Sequence, residues 1–580
     1  MISPYAETKQ NLIMKGDIMR KNFKSLSAIL MTSVLAVSAG SMAMPAFADY
    51  TITMSSTENH TYTAYQIFDG DLHESGGTKT LSNVTWGANI NGAAFLTALQ
   101  GSSDFGATNP FTGKTTAAQV ASIIDGWNDT TDASKIKAFA KLAAANLNTT
   151  AGVSGTGSIS IGAANAGYYL IKDTTTSMPN GGTYSDFILE VVSDVTVAAK
   201  DETVTSEKKV TDKNDSTGAT VGNQTTADYD IGDDVPYVLT FTLPTKYAEY
   251  SKYPITFTDD MCAGLTYNGD AKIYYGKNSG GTITYDDGTA LGASFTSTDI
   301  SSSDAYNGGK RYTYTIADLK ATQASATAGT NLATLGAGDV IKIEYTAKLN
   351  SNAVVGSAGN PNKYNVTFAN DPNWYDDGTG PQPDNPPTGN TPPKENKVYT
   401  YKVVLNKTDG TNALTGADFE LYKFVVDTTG TDSYTSGGTT YNGTWTNVTA
   451  LNSGTDKPTK AKTASGSVVN SVFTFSGIDD GHYKLVETAT PPGYNSIDDI
   501  EFDITPTADG DLDDVSVTNL SLTADDTAGS LTGDVVNSQG VILPGTGGMG
   551  TTVFYIVGGL LVAGALVLLI VKKRMNIKEK

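Results

Sequence analysis

The stretch VIKIEYTAKL, Val340 to Leu349, alternates apolar and polar residues along its length. Because successive side chains of a strand point to opposite faces, this pattern predicts a strand with one buried and one solvated face. Similar runs surround it between residues 201 and 371: YVLTFTLP, YPITFTDDM, AKIYYG, KRYTYTI and NKYNVTFAN. Short alternating strands separated by Gly, Asp and Asn turns predict a β-sandwich for residues 200–371.

Two further regions flank this one. Residues 49–199 begin with YTITMSS and end with DFILEVVSDVTVAA, and two helical stretches lie between them, TTAAQVASIIDGW and DASKIKAFAKLAAANLN. In the second stretch, apolar residues recur at helical spacing and form one stripe. Residues 398–540 return to short strands such as YTYKVVLNK, DFELYKF and HYKLVET. We therefore expect a mainly β chain of tandem immunoglobulin-like sandwiches, the first of which carries a helical insertion.

The remaining segments have the composition of signals and linkers. Residues 1–48 combine a basic start, a short apolar run and the small-x-small sequence AFA, which predicts a cleaved signal peptide. The proline-rich residues 372–397 predict a semi-extended linker. Within residues 541–580, an uncharged run from Val553 to Val571 precedes a Lys-Lys-Arg tail. At about 1.5 Å per residue this run is about 28 Å long, which predicts a membrane helix.

Composition disfavours several functions. The formal net charge of −22 disfavours a nucleic-acid partner, which needs a basic face. The one cysteine, Cys262, cannot form an intrachain disulfide, so an exported chain of this size needs another source of robustness. ADGDLDD, residues 508–514, matches a calcium loop only in part, and the three histidines lack metal-ligand spacing. We expect no metal, no cofactor and no enzymatic turnover.

Several strands carry polar residues at positions whose side chains should face the core. In the last β region these are a lysine, a glutamate and an asparagine: Lys407, Glu487 and Asn537. The middle region repeats the set with Lys208, Asp259 and Asn370. A lysine in an apolar core loses its proton easily, so its amine can attack the asparagine carbonyl while a protonated carboxyl polarises that carbonyl. Ammonia leaves and an amide forms. A buried ion pair beside a hydrogen-bonded amide produces the same pattern, and parity leaves both interpretations open.

Two stretches add a family resemblance. YKLVETATPPGYN, Tyr483 to Asn495, resembles the E-box of sortase-assembled pilins, and NKTDGTNALTGADFELY resembles the opening of a Cna B-type domain. The resemblance implies a spontaneous isopeptide bond between Lys407 and Asn537, assisted by Glu487. YPITFTDDMCAGLTY and NKYNVTFANDPN resemble the middle domain of Gram-positive backbone pilins. That resemblance implies a bond between Lys208 and Asn370, assisted by Asp259.

The first region differs from the other two. Its YYLIKDT parallels YKLVET and places Asp173 at the position of the assisting acid. The first lysine after Asp49 is Lys79, so the opening strand carries no nucleophile. We expect no isopeptide bond in this region.

The stretch before the membrane helix resembles an LPXTG sorting signal. It reads LPGTG, and its residues are Leu543, Pro544, Gly545, Thr546 and Gly547. The resemblance implies that a sortase cleaves after Thr546 and transfers its carbonyl to an amine. Backbone pilins carry that amine near the end of their first domain, and the matching stretch here is DVTVAAKDE. Lys200 has the outward parity there, although the usual Tyr and Pro are missing and an ordinary surface lysine is the alternative.

Together these resemblances imply the shaft subunit of a pilus on the Gram-positive cell wall. The implied partners are a sortase, identical pilin subunits, minor pilins and peptidoglycan, with the membrane contacted only before sorting. The alternative is a wall-anchored adhesin or minor pilin, which keeps the sorting signal but needs no exposed pilin lysine.

Overall fold

The structure is a computed structural model. It describes residues 49–55, 60–76, 78–185, 187–191, 194–198, 202–374, 385–541 and 550–576. Over these ranges the chain is mainly β and forms three successive domains of packed sheets, followed by a C-terminal helix. The predicted signal peptide, Lys200 and the LPGTG stretch lie outside the described residues.

The first domain combines two sheets with three helices. Its strands are β1 (Tyr50–Ser55), β2 (Thr61–Ser75), β3 (Thr78–Trp86), β4 (Val153–Thr156), β5 (Ser158–Ile161), β6 (Gly167–Asp173), β7 (Gly182–Thr183), β8 (Ile188–Val191), β9 (Val195–Ala198) and β10 (Glu202–Thr203). Its helices are α1 (Gly92–Gly101), α2 (Ala117–Asp125) and α3 (Ala133–Ala145). The sheets have the orders β5-β1-β9 and β3-β2-β6-β8, and β7 pairs with β10. Phe95 and Phe139 of the helices pack with Phe68 of β2, which confirms the predicted helical insertion.

The middle domain is a larger sandwich. Its strands are β11 (Ser206–Lys213), β12 (Thr220–Gln224), β13 (Thr226–Asp228), β14 (Asp234–Thr242), β15 (Ile255–Met261), β16 (Leu265–Tyr267), β17 (Lys272–Ser279), β18 (Thr282–Tyr285), β19 (Thr289–Ala290), β20 (Thr296–Asp299), β21 (Lys310–Ile316), β22 (Val340–Leu349), β23 (Asn360–Ala369), β24 (Thr388–Asn390) and β25 (Lys394–Tyr399), with one helix, α4 (Leu319–Ala324). One sheet has the order β12-β11-β14-β22-β17-β18 and the other β13-β25-β23-β15-β21-β20. Leu239 and Ile343 of the first sheet share a buried core with Phe257 and Val366 of the second.

The expected linker is in part a piece of this sandwich. β24 and β25 both pair with β23, and β25 also runs parallel to β13. The middle domain therefore extends to Tyr399, and the prediction that residues 372–397 form a linker is wrong for β24 and most of β25. Residues 375–384 of that segment lie outside the described residues.

The third domain is a sandwich of two sheets. Its strands are β26 (Tyr401–Thr408), β27 (Asp418–Val426), β28 (Asp432–Ser436), β29 (Thr439–Asn447), β30 (Thr459–Ser465), β31 (Val468–Ile478), β32 (Gly481–Ala489), β33 (Ile500–Ile504), β34 (Val515–Val517), β35 (Leu520–Asp525) and β36 (Ser530–Val536). The sheet orders are β30-β31-β26-β36-β35-β34 and β28-β29-β27-β32-β33. The first and last strands, β26 and β36, lie side by side and parallel.

The C-terminal helix α5 (Gly550–Asn576) contains the predicted apolar run. Among the described helices, its segment Thr552–Met575 has the length and the mean hydropathy, 2.7, of a membrane span. Lys573 and Arg574 stand in its last turn.

Candidate functional site

A lysine, a carboxyl and a tyrosine meet inside the middle sandwich. Lys208 of β11 and Tyr345 of β22 come from one sheet, and Asp259 of β15 comes from the other. Lys208 Nζ lies 3.0 and 2.9 Å from the two oxygens of Asp259 and donates to the Tyr345 hydroxyl at 2.9 Å. The lysine is 2% exposed, whereas Lys209 lies at the solvated face, as its parity predicts. The sequence prediction that Lys208 and Asp259 share the core is confirmed.

The asparagine in this cluster is Asn362. It lies opposite Met261 in the β15–β23 ladder, two residues along from the position opposite Asp259 and on the same face. Its Nδ2 donates to the Tyr345 hydroxyl at 2.7 Å, so one hydroxyl contacts both Lys208 and Asn362. Asn362 is fully buried, and its Oδ1 has no hydrogen-bond partner among the described residues. The carbonyl is therefore available to a proton donor.

The structure does not bring Asn370 to Lys208. Tyr364 lies opposite Asp259, and Asn370 is six residues farther along the chain, just beyond the end of β23. At about 3.3 Å per residue this separation is about 20 Å. The backbone carbonyl of Asn370 accepts a hydrogen bond from the backbone amide of Tyr184, which belongs to the first domain. The expected pairing of Lys208 with Asn370 is thus corrected: Asn370 has the right face but lies at the wrong end of the strand.

Burial shifts the pKa values of both titrating groups in the middle cluster. It lowers the pKa of Lys208 to about 8, although Asp259 partly opposes that shift. Burial also raises the pKa of Asp259, against the opposing effects of Lys208 and Tyr345. Both shifts favour the uncharged forms, a free amine and a protonated carboxyl. These are the forms required of a nucleophile and of an acid that polarises the Asn362 carbonyl.

The third domain holds the predicted set of three. Lys407 lies opposite Val535 in the parallel β26–β36 pair, and the backbone amide of Asn537 donates to the Thr408 carbonyl. Asn537 Nδ2 donates to both oxygens of Glu487, at 2.8 and 3.1 Å. The structure thus gathers the three residues that the sequence selected.

The lysine of the third domain has an environment similar to that of Lys208. Lys407 is fully buried, and its Nζ donates to the Val535 and Thr408 carbonyls at 2.8 and 3.2 Å. Burial lowers its pKa to about 8, although Glu487 opposes the shift. Asn537 Oδ1 is buried and has no hydrogen-bond partner among the described residues. A weakly basic amine and an unpartnered amide carbonyl therefore recur in both sandwiches.

In the first domain, the acid Asp173 pairs with a histidine. Asp173 Oδ2 lies 2.6 Å from Nδ1 of His60, and the other carboxylate oxygen accepts from Thr175. Burial tends to raise the pKa of Asp173, but the hydrogen bonds from His60, Thr175 and Ser185 outweigh it and lower the pKa below 3.8. The pKa of Asp173 is therefore shifted in the opposite direction to that of Asp259.

Acid should loosen the first domain through Asp173. A carboxyl whose pKa is lower in the folded state adds stability above its unfolded value, here about 3.8, and loses it as the pH falls through the folded pKa. We expect Asp173→Asn to remove this acid sensitivity below about pH 4. Protease susceptibility of the 49–198 region, followed from neutral pH to pH 2, measures it. An unchanged acid midpoint in the variant would assign the transition to other carboxyls.

Lys423 is a buried cation that the sequence interpretation missed. It lies on β27 at the parity of Phe419 and Leu421, so its parity was visible in the sequence. Its Nζ contacts Asp230 at 2.9 Å, Asp215 at 3.2 Å and Asp479. Burial tends to lower its pKa, but these carboxylates raise it well above the ordinary value. Lys423 therefore stays charged, in contrast to Lys208 and Lys407.

Comparisons with known proteins agree with this fold. Residues 401–521 match the SpaA family, described as a prealbumin-like fold domain. The trypsin-resistant surface T6 protein of Streptococcus pyogenes serotype M6 is 25% identical over 414 residues, which cover 65% of this chain and 70% of that protein.

Two solved structures align with a large part of the chain. The T6 backbone pilin of serotype M6 Streptococcus pyogenes aligns with a TM-score of 0.46 at 16% identity, over 86% of this chain and 100% of that one. The major pilin SpaD of Corynebacterium diphtheriae aligns with a TM-score of 0.40 at 17% identity, over 85% of this chain and 98% of that one. The third domain thus matches a SpaA-type prealbumin-like domain, in a chain that is similar to a streptococcal surface protein over 65% of its length.

Proposed function

We propose that this chain is the shaft subunit of a covalently polymerised pilus on a Gram-positive cell surface. The observation that carries the proposal is the pair of buried lysine–carboxyl–asparagine clusters, one in the middle sandwich and one in the third. The similarity to the T6 protein and to backbone pilins supports the same function. A purely structural role follows, in which the chain acts as a mechanical element and a sortase substrate.

Each cluster can form one amide without a cofactor. The uncharged lysine Nζ attacks Cγ of the asparagine, and the carboxyl acts as the proton relay that polarises the Oδ1 oxygen. The Cγ–Nδ2 bond then breaks, and ammonia leaves with the proton that the amine gives up. The acceptor of Lys208 is Asn362, with Asp259 as the acid. The acceptor of Lys407 is Asn537, with Glu487 as the acid.

The third-domain amide has a mechanical consequence. β26 opens the domain and β36 closes it, so tension on the two chain ends acts on these adjacent parallel strands. A bond between Lys407 and Asn537 carries the load directly, and the strands cannot slide apart. In the middle domain, the Lys208–Asn362 amide ties the first strand to β23 across the two sheets. A chain without disulfides gains its robustness in this way.

Subunits join through residues that lie outside the described part of the chain. The sortase cleaves LPGTG after Thr546, and the acyl group passes to Lys200 of the next subunit or to peptidoglycan at the base. The helix α5 and its basic end hold the substrate at the membrane until that step. Minor pilins are further partners that use the same sorting chemistry.

Lys200→Ala should abolish polymer formation in the native host. The wild-type chain should give a ladder of high-mass species on denaturing gels, because amide bonds between subunits survive the detergent. The variant should give only monomer and wall-linked monomer. Lys209→Ala is the matched control, since that lysine lies nearby at the solvated face of β11. An unchanged ladder in Lys200→Ala contradicts Lys200 as the acceptor, and a wild-type chain that never polymerises supports the adhesin alternative.

A further inference from the structure

Carboxyl groups crowd the joint between the middle and third domains. The middle domain contributes Asp215, Asp228, Asp230 and Asp233, and the turn between β31 and β32 contributes Asp479 and Asp480. Backbone contacts close this joint, since the amide of Asp480 donates to Asp228 at 2.7 Å and that of Asp479 donates to Asp230 at 3.0 Å. The carboxyls are therefore fixed parts of the interface.

Three of these groups converge on one point. Asp228, Asp479 and Asp480 each offer a carboxylate oxygen, and these oxygens lie within 4.8 Å of one another. Asp228 comes from the middle domain and the other two come from the third. Asp228 is 7% exposed and Asp479 is 1% exposed, so solvent screens these carboxyls only weakly.

The bonding at Asp479 points to a ligand. Its Oδ1 contacts Lys423, but its Oδ2 is buried and has no hydrogen-bond partner among the described residues. A buried carboxylate oxygen without a donor costs several kcal/mol unless a proton or a cation meets it. Hydrogen bonds hold the other two carboxyls in place: Asp228 Oδ2 accepts from the Asp480 amide, and Asp480 Oδ2 accepts from Asn214.

Lys423 cannot neutralise this joint alone. Its Nζ already serves Asp215, Asp230 and Asp479, and Lys213 is bonded to Asp215. In the described part of the chain neither lysine pairs with Asp228 or Asp480, so negative charge remains there for a multivalent cation to balance.

We propose that Asp228, Asp479 and Asp480 bind a calcium ion that bridges the middle and third domains. All three ligands are hard carboxylate oxygens without nitrogen or sulfur, which suits Ca²⁺, and water can complete its six to eight oxygens. The partial calcium pattern at residues 508–514 is separate from this site. Its Asp509, Asp511 and Asp513 are exposed, whereas Asp228 and Asp479 are buried. The spacing of residues along the sequence predicts no metal site, whereas these ligands come from two different domains. The ion stiffens the joint, a property separate from isopeptide formation.

Calcium titration of the full chain in detergent micelles, after metal is stripped with a chelating resin, tests the proposal. Calorimetry should show one saturable site with a dissociation constant on the order of 10⁻⁴ M, typical of extracellular modules. CaCl₂ should raise the unfolding temperature relative to EDTA, and MgCl₂ should do so less. Asp480→Asn should bind calcium roughly tenfold more weakly, since it removes one charged ligand.

Two comparisons separate lost binding from lost folding. In EDTA, Asp480→Asn should unfold at or above the wild-type temperature, because a carboxyl under repulsion has been removed. Asp511→Asn, in the exposed loop, should bind calcium like the wild type. The absence of a saturable site in the wild type overturns the proposal. It is also overturned if Asp480→Asn keeps full affinity or if Asp511→Asn loses it.

Discussion

Replacing Asn362 with alanine should leave the chain with one internal ammonia loss instead of two. We expect the wild-type intact mass to fall below its formula mass by ~34 Da, which is ~17 Da for each Lys–Asn amide, and the variant by ~17 Da. A single hydroxyl bridges Lys208 and Asn362, since the Tyr345 oxygen accepts from both Nζ and Nδ2. Mass spectrometry of the purified chain measures the deficit.

The same variant should lose substantial stability in the middle domain. The amide closes a loop of about 150 residues, and in the chain-entropy model such a cross-link contributes about 5 kcal/mol. Lys208 would also remain in the core as an unreacted amine, hydrogen-bonded to Asp259 and Tyr345. Denaturant unfolding, followed by proteolysis of the 202–399 region, should show the lower midpoint.

Asn370→Ala supplies the matched control. Asn370 has the same strand parity as Asn362 but lies about 20 Å from the position opposite Asp259, so this variant should keep both ammonia losses. A single loss in Asn370→Ala, with two in Asn362→Ala, would contradict the register described above.

Strand parity explains why the sequence identifies the buried face of β23 correctly but selects Asn370 in place of Asn362. The alternation of NKYNVTFAN correctly indicates which side chains of β23 face the core, and Asn362 and Asn370 share that buried face. A period of two carries no information about position along the strand. That position depends on the β15–β23 register, in which Ile255 meets Phe368 across more than one hundred residues of chain. In the third domain only one asparagine fits, so the same reasoning selects the residue that the structure places at the site.

The prediction of a linker at residues 372–397 is partly wrong for a different reason. Prolines cannot donate to a ladder, so their density favours a linker. Here they stand between the strands: Pro387 precedes β24, and Pro392 and Pro393 separate β24 from β25. The residues that pair, Thr388–Asn390 and Lys394–Tyr399, contain none. Sequence alone locates the prolines, whereas the free edge of β23 that recruits these strands is a tertiary feature.

Lys423 shows that burial of a lysine does not determine its chemistry. Its parity matches that of Lys208 and Lys407, but three aspartates from separate segments raise its pKa, whereas burial lowers that of the other two. A charged amine is no nucleophile. The distinction depends on which acids the fold assembles around the amine, and no spacing within the strand reports it.

Glu487→Gln should leave the third domain without its cross-link. The glutamine keeps the size of the side chain and can still accept a bond from Asn537 Nδ2, which now reaches both Glu487 oxygens. It cannot polarise the amide carbonyl as a protonated carboxyl does or shuttle the proton from Lys407. We expect one ammonia loss in place of two and a free energy of unfolding lower by about 5 kcal/mol, because the amide closes a loop of about 130 residues.

Protease digestion of the 401–541 region should separate the two forms, since a bridged domain resists cleavage and an unbridged one does not. Glu501→Gln is the control, because Glu501 is an exposed glutamate on the neighbouring strand β33. Glu487→Asp should restore part of the bond if the carboxyl acts as an acid, since it keeps the titrating group at a shorter reach. Full ammonia loss in Glu487→Gln would show that Lys407 reacts without this acid. In that case burial of the lysine, which lowers its pKa to about 8, would be sufficient for the reaction.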